Sequence, residues 1–242
     1  MDRVGGLAWR MRSLWCATLA GFGIHPRRSA MPMYVRVPGP FWRRWWSALN
    51  PPPPLPADYV APPPPPWAGP PESELGVAVP ARTVLASQPN LVIALTDCVA
   101  YSNGFTVGIA VRSRHFLDHR SVGFGPPMER PDDSALQIAI KFADGREGAA
   151  SGHGPSPDVM AYYRAWRDDQ EPPRPAGPIV SQMKGGGGGK RWDFEYWVWP
   201  LPLDGPLMVS CQWRSEGVAL TSTQLGGTAI RLAGSTSKSV WD

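Results

Sequence analysis

The stretch KGGGGGKRWDFEYWVWPLPLDGPLMVSCQW, residues 184–213, decides the fold class. Five glycines, Gly185 to Gly189, open directly into Trp192, Phe194, Tyr196, Trp197 and Trp199. Pro200 and Pro202 break that run, Asp204-Gly205 turns the chain, and Leu207, Val209, Cys211 and Trp213 carry it back. Bulky flat side chains suit a pleated surface, while glycine and proline mark its ends. The order predicts a mobile glycine connection feeding an aromatic β-hairpin in an all-β core. On the first strand Trp192, Phe194, Tyr196 and Val198 face one way as a continuous core stripe. Asp193, Glu195, Trp197 and Trp199 face the other, a surface that begins acidic and ends in two large rings.

Toward the N-terminus the pattern keeps a period of two. Leu91, Ile93, Leu95, Val99 and Tyr101 share one face of a strand that ends at Asn103-Gly104, a strong hairpin signal, and Phe105, Val107, Ile109 and Val111 answer on the return. A strand over residues 76–86 precedes this pair. Leu136, Ile138, Ile140 and Phe142 give a further alternation ending at Asp144-Gly145. Ser156-Pro157-Asp158 supplies a side-chain cap and a proline at the first helical position, which predicts a short helix ending near Gln170. Leu225, Ala229, Leu232 and Ala233 outline a second helix, weakened by Gly226, Gly227 and Gly234. Short strands joined by turns predict one antiparallel β-sandwich-like domain over residues 74–242, with one or two short helices.

Charge and proline distinguish the first 73 residues from this domain. The chain of 242 residues carries a net +4, yet residues 1–50 hold eight arginines against Asp2 alone, so the rest is mildly acidic. The basic character therefore belongs to an N-terminal extension, expected to be disordered, and no specific nucleic-acid surface is expected on the folded part. Ser13 to Ile24 is apolar but shorter than the roughly 20 residues a bilayer span needs. His25-Pro-Arg-Arg stands where a signal peptide would place small residues, so this stretch is expected to be an extension. The patch Phe41-Trp-Arg-Arg-Trp-Trp46 suits a peripheral membrane contact or stacking on RNA bases, or else a solvated tail or short helix docking its tryptophans on the body. Residues 51–73 form a proline-rich linker, with tracts at 51–54 and 62–66 that enforce polyproline II. Such tracts act as semi-rigid spacers or as ligands for aromatic grooves.

The three cysteines, Cys16, Cys98 and Cys211, form no C-x-x-C pair. That count disfavours a disulfide framework and a zinc ribbon and fits a reducing, cytoplasmic setting, with a Cys98 to Cys211 bridge left open.

The glycine run, the W-V-W-P-L-P-L-D-G-P-L segment from Trp197 to Leu207, Trp213 and the closing Trp241 resemble a group of uncharacterised β-rich proteins from high-GC actinobacteria. The resemblance covers the part after the linker and implies a β-rich fold. It transfers no activity and no catalytic residue.

Motifs for chemistry fail on spacing. A phosphate loop ending at Gly189-Lys190 needs glycine where Lys184 stands and Ser or Thr where Arg191 stands; a dinucleotide fingerprint needs glycine at Lys190. No cofactor is expected. His115 and His119 have helical metal-ligand spacing, but with only His153 as a remote third ligand they fall short of a metal sphere. Ser151-Gly-His153 with Asp158 collects a triad's residue types without the strand-turn-helix elbow that presents a nucleophile. Asp132-Asp133 and Asp168-Asp169 are read as solvated loop charge.

The aromatic surface is left as the candidate site. Trp197 and Trp199 form a ledge for a protein or glycan partner unless a C-terminal segment with Trp241 covers it, and Lys184, Lys190 and Arg191 could close the glycine connection over an anion. The sequence thus predicts a non-enzymatic binding module. The alternatives are a hydrolase using Ser151 and His153, and a membrane-associated protein anchored by Phe41 to Trp46.

Overall fold

The computed structural model describes residues 62–118, 121–122, 135–151 and 156–241. The basic arm with Phe41 to Trp46, the first proline tract, Cys16, Asp132-Asp133, His119 and His153 lie outside the described residues.

Period-two sequence becomes paired strand throughout. β1 (Glu74–Leu75), β2 (Val77–Val79) and β3 (Thr83–Gln88) replace the single strand expected over 76–86, because Pro80 removes a ladder donor between β2 and β3. β4 (Leu91–Ala100) and β5 (Phe105–Ser113) form the expected hairpin, with Leu91 opposite Ser113 and Ala100 opposite Phe105. β6 (Gln137–Lys141) and β7 (Glu147–Ser151) turn through Asp144-Gly145, where Gly145 takes a positive φ of 87°. Helix α1 (Pro157–Arg167) starts where Ser156 Oγ accepts the Val159 N–H, and its last turn carries Arg164 and Arg167, which suit the dipole.

The glycine run departs from expectation. β8 (Ile179–Gly188) takes Gly185 to Gly188 into the sheet, paired with β9 (Arg191–Trp199) from Gly188 opposite Arg191 to Ile179 opposite Trp199. Only Gly189-Lys190 is turn. Glycine has little strand propensity of its own, so the ladder with β9 confers the strand here.

A second departure comes after Trp199. β9 and β10 (Pro206–Trp213) are not a hairpin: β9 sits between β5 and β8, whereas β10 pairs with β6 and β11 (Val218–Gly226). The Pro200-Leu-Pro-Leu-Asp-Gly segment carries the chain from one sheet to the other, and the Trp199–Pro200 peptide is cis. Helix α2 (Gly227–Ser235) then packs Ile230 into the core, and β12 (Lys238–Ser239) pairs with β1. The glycines that lower its helix propensity allow this packing. A Cβ at Gly227 would lie 2.7 Å from the Gly205 carbonyl oxygen, and one at Gly234 would lie 2.6 Å from that of Tyr101.

The result is a β-sandwich. One sheet holds six strands in the order β2-β4-β5-β9-β8, with β3 also on β4; the other holds four in the order β11-β10-β6-β7. Ile93, Val107, Phe194 and Tyr196 of the first face Ile138, Ile140, Val209 and Trp213 of the second across one buried core. The sheets approach each other at both sides, β7 beside β8 and β11 beside β3. The predicted stripe Trp192, Phe194, Tyr196 and Val198 is the inner face of β9, as expected. Cys98 and Cys211 are buried there as free thiols.

Candidate functional site

The opposite, outer face of the six-stranded sheet carries the chemistry. Its shape comes from two bulges. In β4 the register shifts between Leu95 and Asp97, which inserts Thr96 as an extra residue. Strict alternation after Leu95 would turn Asp97 into the core; the bulge sends Asp97 out and Cys98 and Ala100 in instead. It also moves Val99 and Tyr101 off the core face on which period two had placed them. In β8 the register shifts between Gln182 and Lys184, and Lys184 emerges on the outer face beside Glu195.

The bulges lie at one level of the sheet. Asp97 opposes Gly108, Gly108 opposes Glu195, and Glu195 opposes Lys184. This cross-strand row spans three strand spacings, roughly 14 Å. Thr96 Oγ1 donates to Asp97 Oδ2 at 2.7 Å, and both side chains fold over Gly108, where a Cβ would overlap them. Lys184 Nζ donates to Glu195 Oε1 at 3.0 Å, and that bond holds the Lys184 ammonium above its ordinary range. In the next rows Arg112 pairs with Asp193 at 2.7 Å and Arg191 reaches the same carboxylate at 3.5 Å.

Between these pairs runs an open groove of about 440 Å³ lined by Thr96, Asp97, Gly108, Lys184, Asp193 and Glu195. Thr96 and Asp97 cover the Gly108 backbone, whereas Gly186 leaves its part of the floor clear, with nothing within 4 Å of an added Cβ. Tyr101, just after β4, has its ring 6.0 Å from Trp197; burial first, and then the Glu195 charge, push its phenol up.

The expected ledge is covered. Trp197 is fully buried and Trp199 is half-buried. The cover is not Trp241, which is 83% exposed, but residues 62–69, made of the second proline tract and Trp67-Ala-Gly. Trp197 Nε1 donates to the Trp67 carbonyl at 3.0 Å, and the Trp67 ring lies between Trp199, at 6.2 Å, and Tyr162 of α1, at 5.8 Å. Of the predicted residues, Lys184, Trp197 and Trp199 thus share the outer face. Lys190 is exposed at the β8–β9 turn, and Arg191 lies beyond the groove, paired with Asp193. Asp97 and Gly108 escaped sequence reasoning because only the β4 bulge turns Asp97 outward over Gly108.

A separate array links the sheets. His115 Nε2 lies 2.8 Å from Glu216 Oε2, and its Nδ1 lies 3.2 Å from Ser113 Oγ. These are the residue types of an acid-base-nucleophile set. However, Ser113 Oγ also accepts the backbone N–H of His115 at 3.1 Å, which makes the contact a local turn at the end of β5. Ser151 lies in β7, and its intended partner His153 is outside the described residues. Among the described residues, no three His, Cys, Asp or Glu side chains gather as a metal site, and no helix is long and apolar enough to cross a membrane.

Comparisons with family models, with curated proteins and with solved structures return no match. The chemistry of the outer face must therefore be read from its own residues.

Proposed function

We propose that this protein is a non-enzymatic binding module that holds a glycan strand across the outer face of its six-stranded sheet. The observation that carries this reading is the row Asp97, Gly108, Glu195 and Lys184, brought into line by bulges in two strands. Bulges gather where side chains are re-aimed for function, and here they bring polar groups to the groove. Carboxylate and ammonium stand side by side at 3.0 Å, offering an acceptor and a donor together to adjacent sugar hydroxyls. The part of the floor that Gly186 leaves clear can take the face of a sugar ring. An open groove also suits a polymer, which must enter and leave along its length. Two free, buried thiols suit a reducing compartment, so we keep the cytoplasm as the proposed setting and a glycan found inside cells as the ligand.

The test is calorimetric titration of the full chain with a panel of oligosaccharides. Gly186→Leu puts a side chain into the groove from a position whose Cβ has nothing within 4 Å, and Glu195→Gln removes one acceptor charge. A ligand bound by the wild-type chain should bind at least tenfold more weakly to Gly186→Leu at an unchanged melting temperature. Binding that survives in both variants, or no glycan bound by the wild-type chain, would overturn the reading.

A further inference from the structure

The other half of the same face supports an inference that does not depend on the groove. We propose that Trp197, Trp199, Tyr162 and Asn103 form a recognition site for proline-rich peptides, and that residues 62–69 of the chain occupy it as a ligand in cis.

The strap has the marks of a bound polyproline segment. Polyproline II repeats every three residues, so a tract lying on a surface buries positions three apart. Pro62 and Pro65 are buried, and Pro63, Pro64 and Pro66 are exposed. The same conformation makes no internal hydrogen bonds and leaves its carbonyls to be read from outside. The tract ends in a turn, the Ala68 N–H bonding the Pro65 carbonyl at 2.9 Å, and two carbonyls of the tract and two of the residues after it are read by side-chain donors of the body. Tyr162 Oη donates to the Pro63 carbonyl at 2.9 Å, Asn103 Nδ2 to those of Pro66 at 2.7 Å and Gly69 at 3.2 Å, and Trp197 Nε1 to that of Trp67 at 3.0 Å. Phenol, amide and indole donors set among aromatic rings are the means by which an aromatic groove takes a proline-rich ligand. A plain spacer needs none of them.

The fit of the cis ligand is incomplete, and its tether adds to the hold. The Trp67 Nε1 is buried without an acceptor among the described residues. The strap leads after Pro70-Pro71 straight into β1, where the Glu74 N–H bonds the Pro71 carbonyl at 3.2 Å. A segment tied so closely acts at an effective concentration on the order of millimolar, so a free peptide of equal intrinsic affinity is shut out. The site is thus self-occupied, and it becomes available to a proline-rich segment of another polypeptide when the strap lifts.

The probe is a fluorescein-labelled peptide of residues 61–71, APPPPPWAGPP, titrated by fluorescence anisotropy into the full chain. The full chain with Trp67→Ala, whose own strap has lost its anchor, should bind the peptide at least tenfold more tightly than the wild-type chain. A peptide with alanine at the tryptophan position should bind neither chain. Pro65→Ala, a milder change in the strap, should shift affinity in the same direction and serves if Trp67→Ala does not fold. Folded strap variants that bind the peptide no better than the wild-type chain would overturn the proposal. So would equal binding of the two peptides. Either failure leaves the groove reading untouched, because no groove residue is altered.

Discussion

The indole N–H of Trp197 donates to the carbonyl of Trp67, 130 residues earlier, at 3.0 Å. Trp197 is fully buried on a face that period two marks as outer, while Trp199, two residues on, is half-buried. Truncating Trp197 removes a large buried ring and leaves a strap carbonyl without its donor. Trp197→Ala should cost about 3–5 kcal/mol, in the range for buried tryptophan, and Trp199→Ala about 1–2 kcal/mol. Urea unfolding followed by circular dichroism separates the two. Equal midpoints for the variants would mean that the strap does not seal Trp197.

Neighbouring glycines of β8 should behave oppositely. Gly187 has a φ of 148°, and a Cβ there would overlap the Arg191 carbonyl oxygen and lie 2.7 Å from Trp192 Cα. Gly186 has open space around it and no positive φ. Gly187→Ala should therefore destabilise by more than about 1 kcal/mol, whereas Gly186→Ala should be neutral or stabilising by about 0.4–1 kcal/mol through the unfolded chain. Thermal melts of the two variants give the comparison, and a stable Gly187→Ala would show that β9 tolerates a shifted partner there.

Local signals carried much of this architecture. The β4–β5 hairpin, the β6–β7 turn, the Ser156 cap and the inner stripe of β9 all arise from residues within a few positions of one another. Asn103-Gly104 marks the hairpin for a reason its sequence does not give. Gly104 lacks a positive φ, but a Cβ there would sit 2.5 Å from the Val198 carbonyl oxygen and 2.6 Å from the Trp197 ring. The hidden features are non-local. One extra residue at Thr96 and another at Met183 invert alternation without any mark in composition, and the candidate groove depends on both. The glycine strand and the β9-to-β10 crossing are likewise decided by which strands meet. The strap was legible as polyproline, but its docking site was not, because its donors come from the β4–β5 turn, α1 and β9.

Cys98 should report global unfolding rather than surface chemistry. Burial first, and then the neighbouring Asp97 charge, push its thiol up to about 12, and burial raises Cys211 as well. Only the thiolate reacts, so labelling of both by a disulfide reagent, mapped by mass spectrometry, should track the urea transition. The raised value sets the sign for stability. The unfolded thiol ionises near 8.5 and the folded one near 12, so the stabilisation from keeping Cys98 neutral is complete below the first value. It declines as pH rises between them. Above about pH 9 the wild-type chain should lose stability with a steeper slope than Cys98→Ala. Parallel slopes would place the thiol in contact with water.

Glu74 should govern the acid side. It lies in β1, yet its carboxylate accepts the Ser102 N–H at 2.9 Å, the Ser102 hydroxyl, and the Ser237 hydroxyl at 2.9 Å, joining the β4–β5 turn to the C-terminal segment. Burial alone would raise its pKa; the hydrogen bonds from Ser102 and Ser237 outweigh it and hold the carboxyl below its ordinary 4.5. A folded value below the unfolded one means that the ionised group stabilises the fold above about pH 4.5, and that this contribution is lost as pH falls through the folded value. Because the group is partly exposed, solvent screening keeps the effect small, on the order of 1 kcal/mol. Glu74→Gln should therefore be less stable than the wild-type chain at neutral pH, with the gap closing as the pH drops below the carboxylate range. Urea midpoints measured across that range decide it. A gap that stays constant would assign the loss to the geometry of β1 and β12 rather than to the charge.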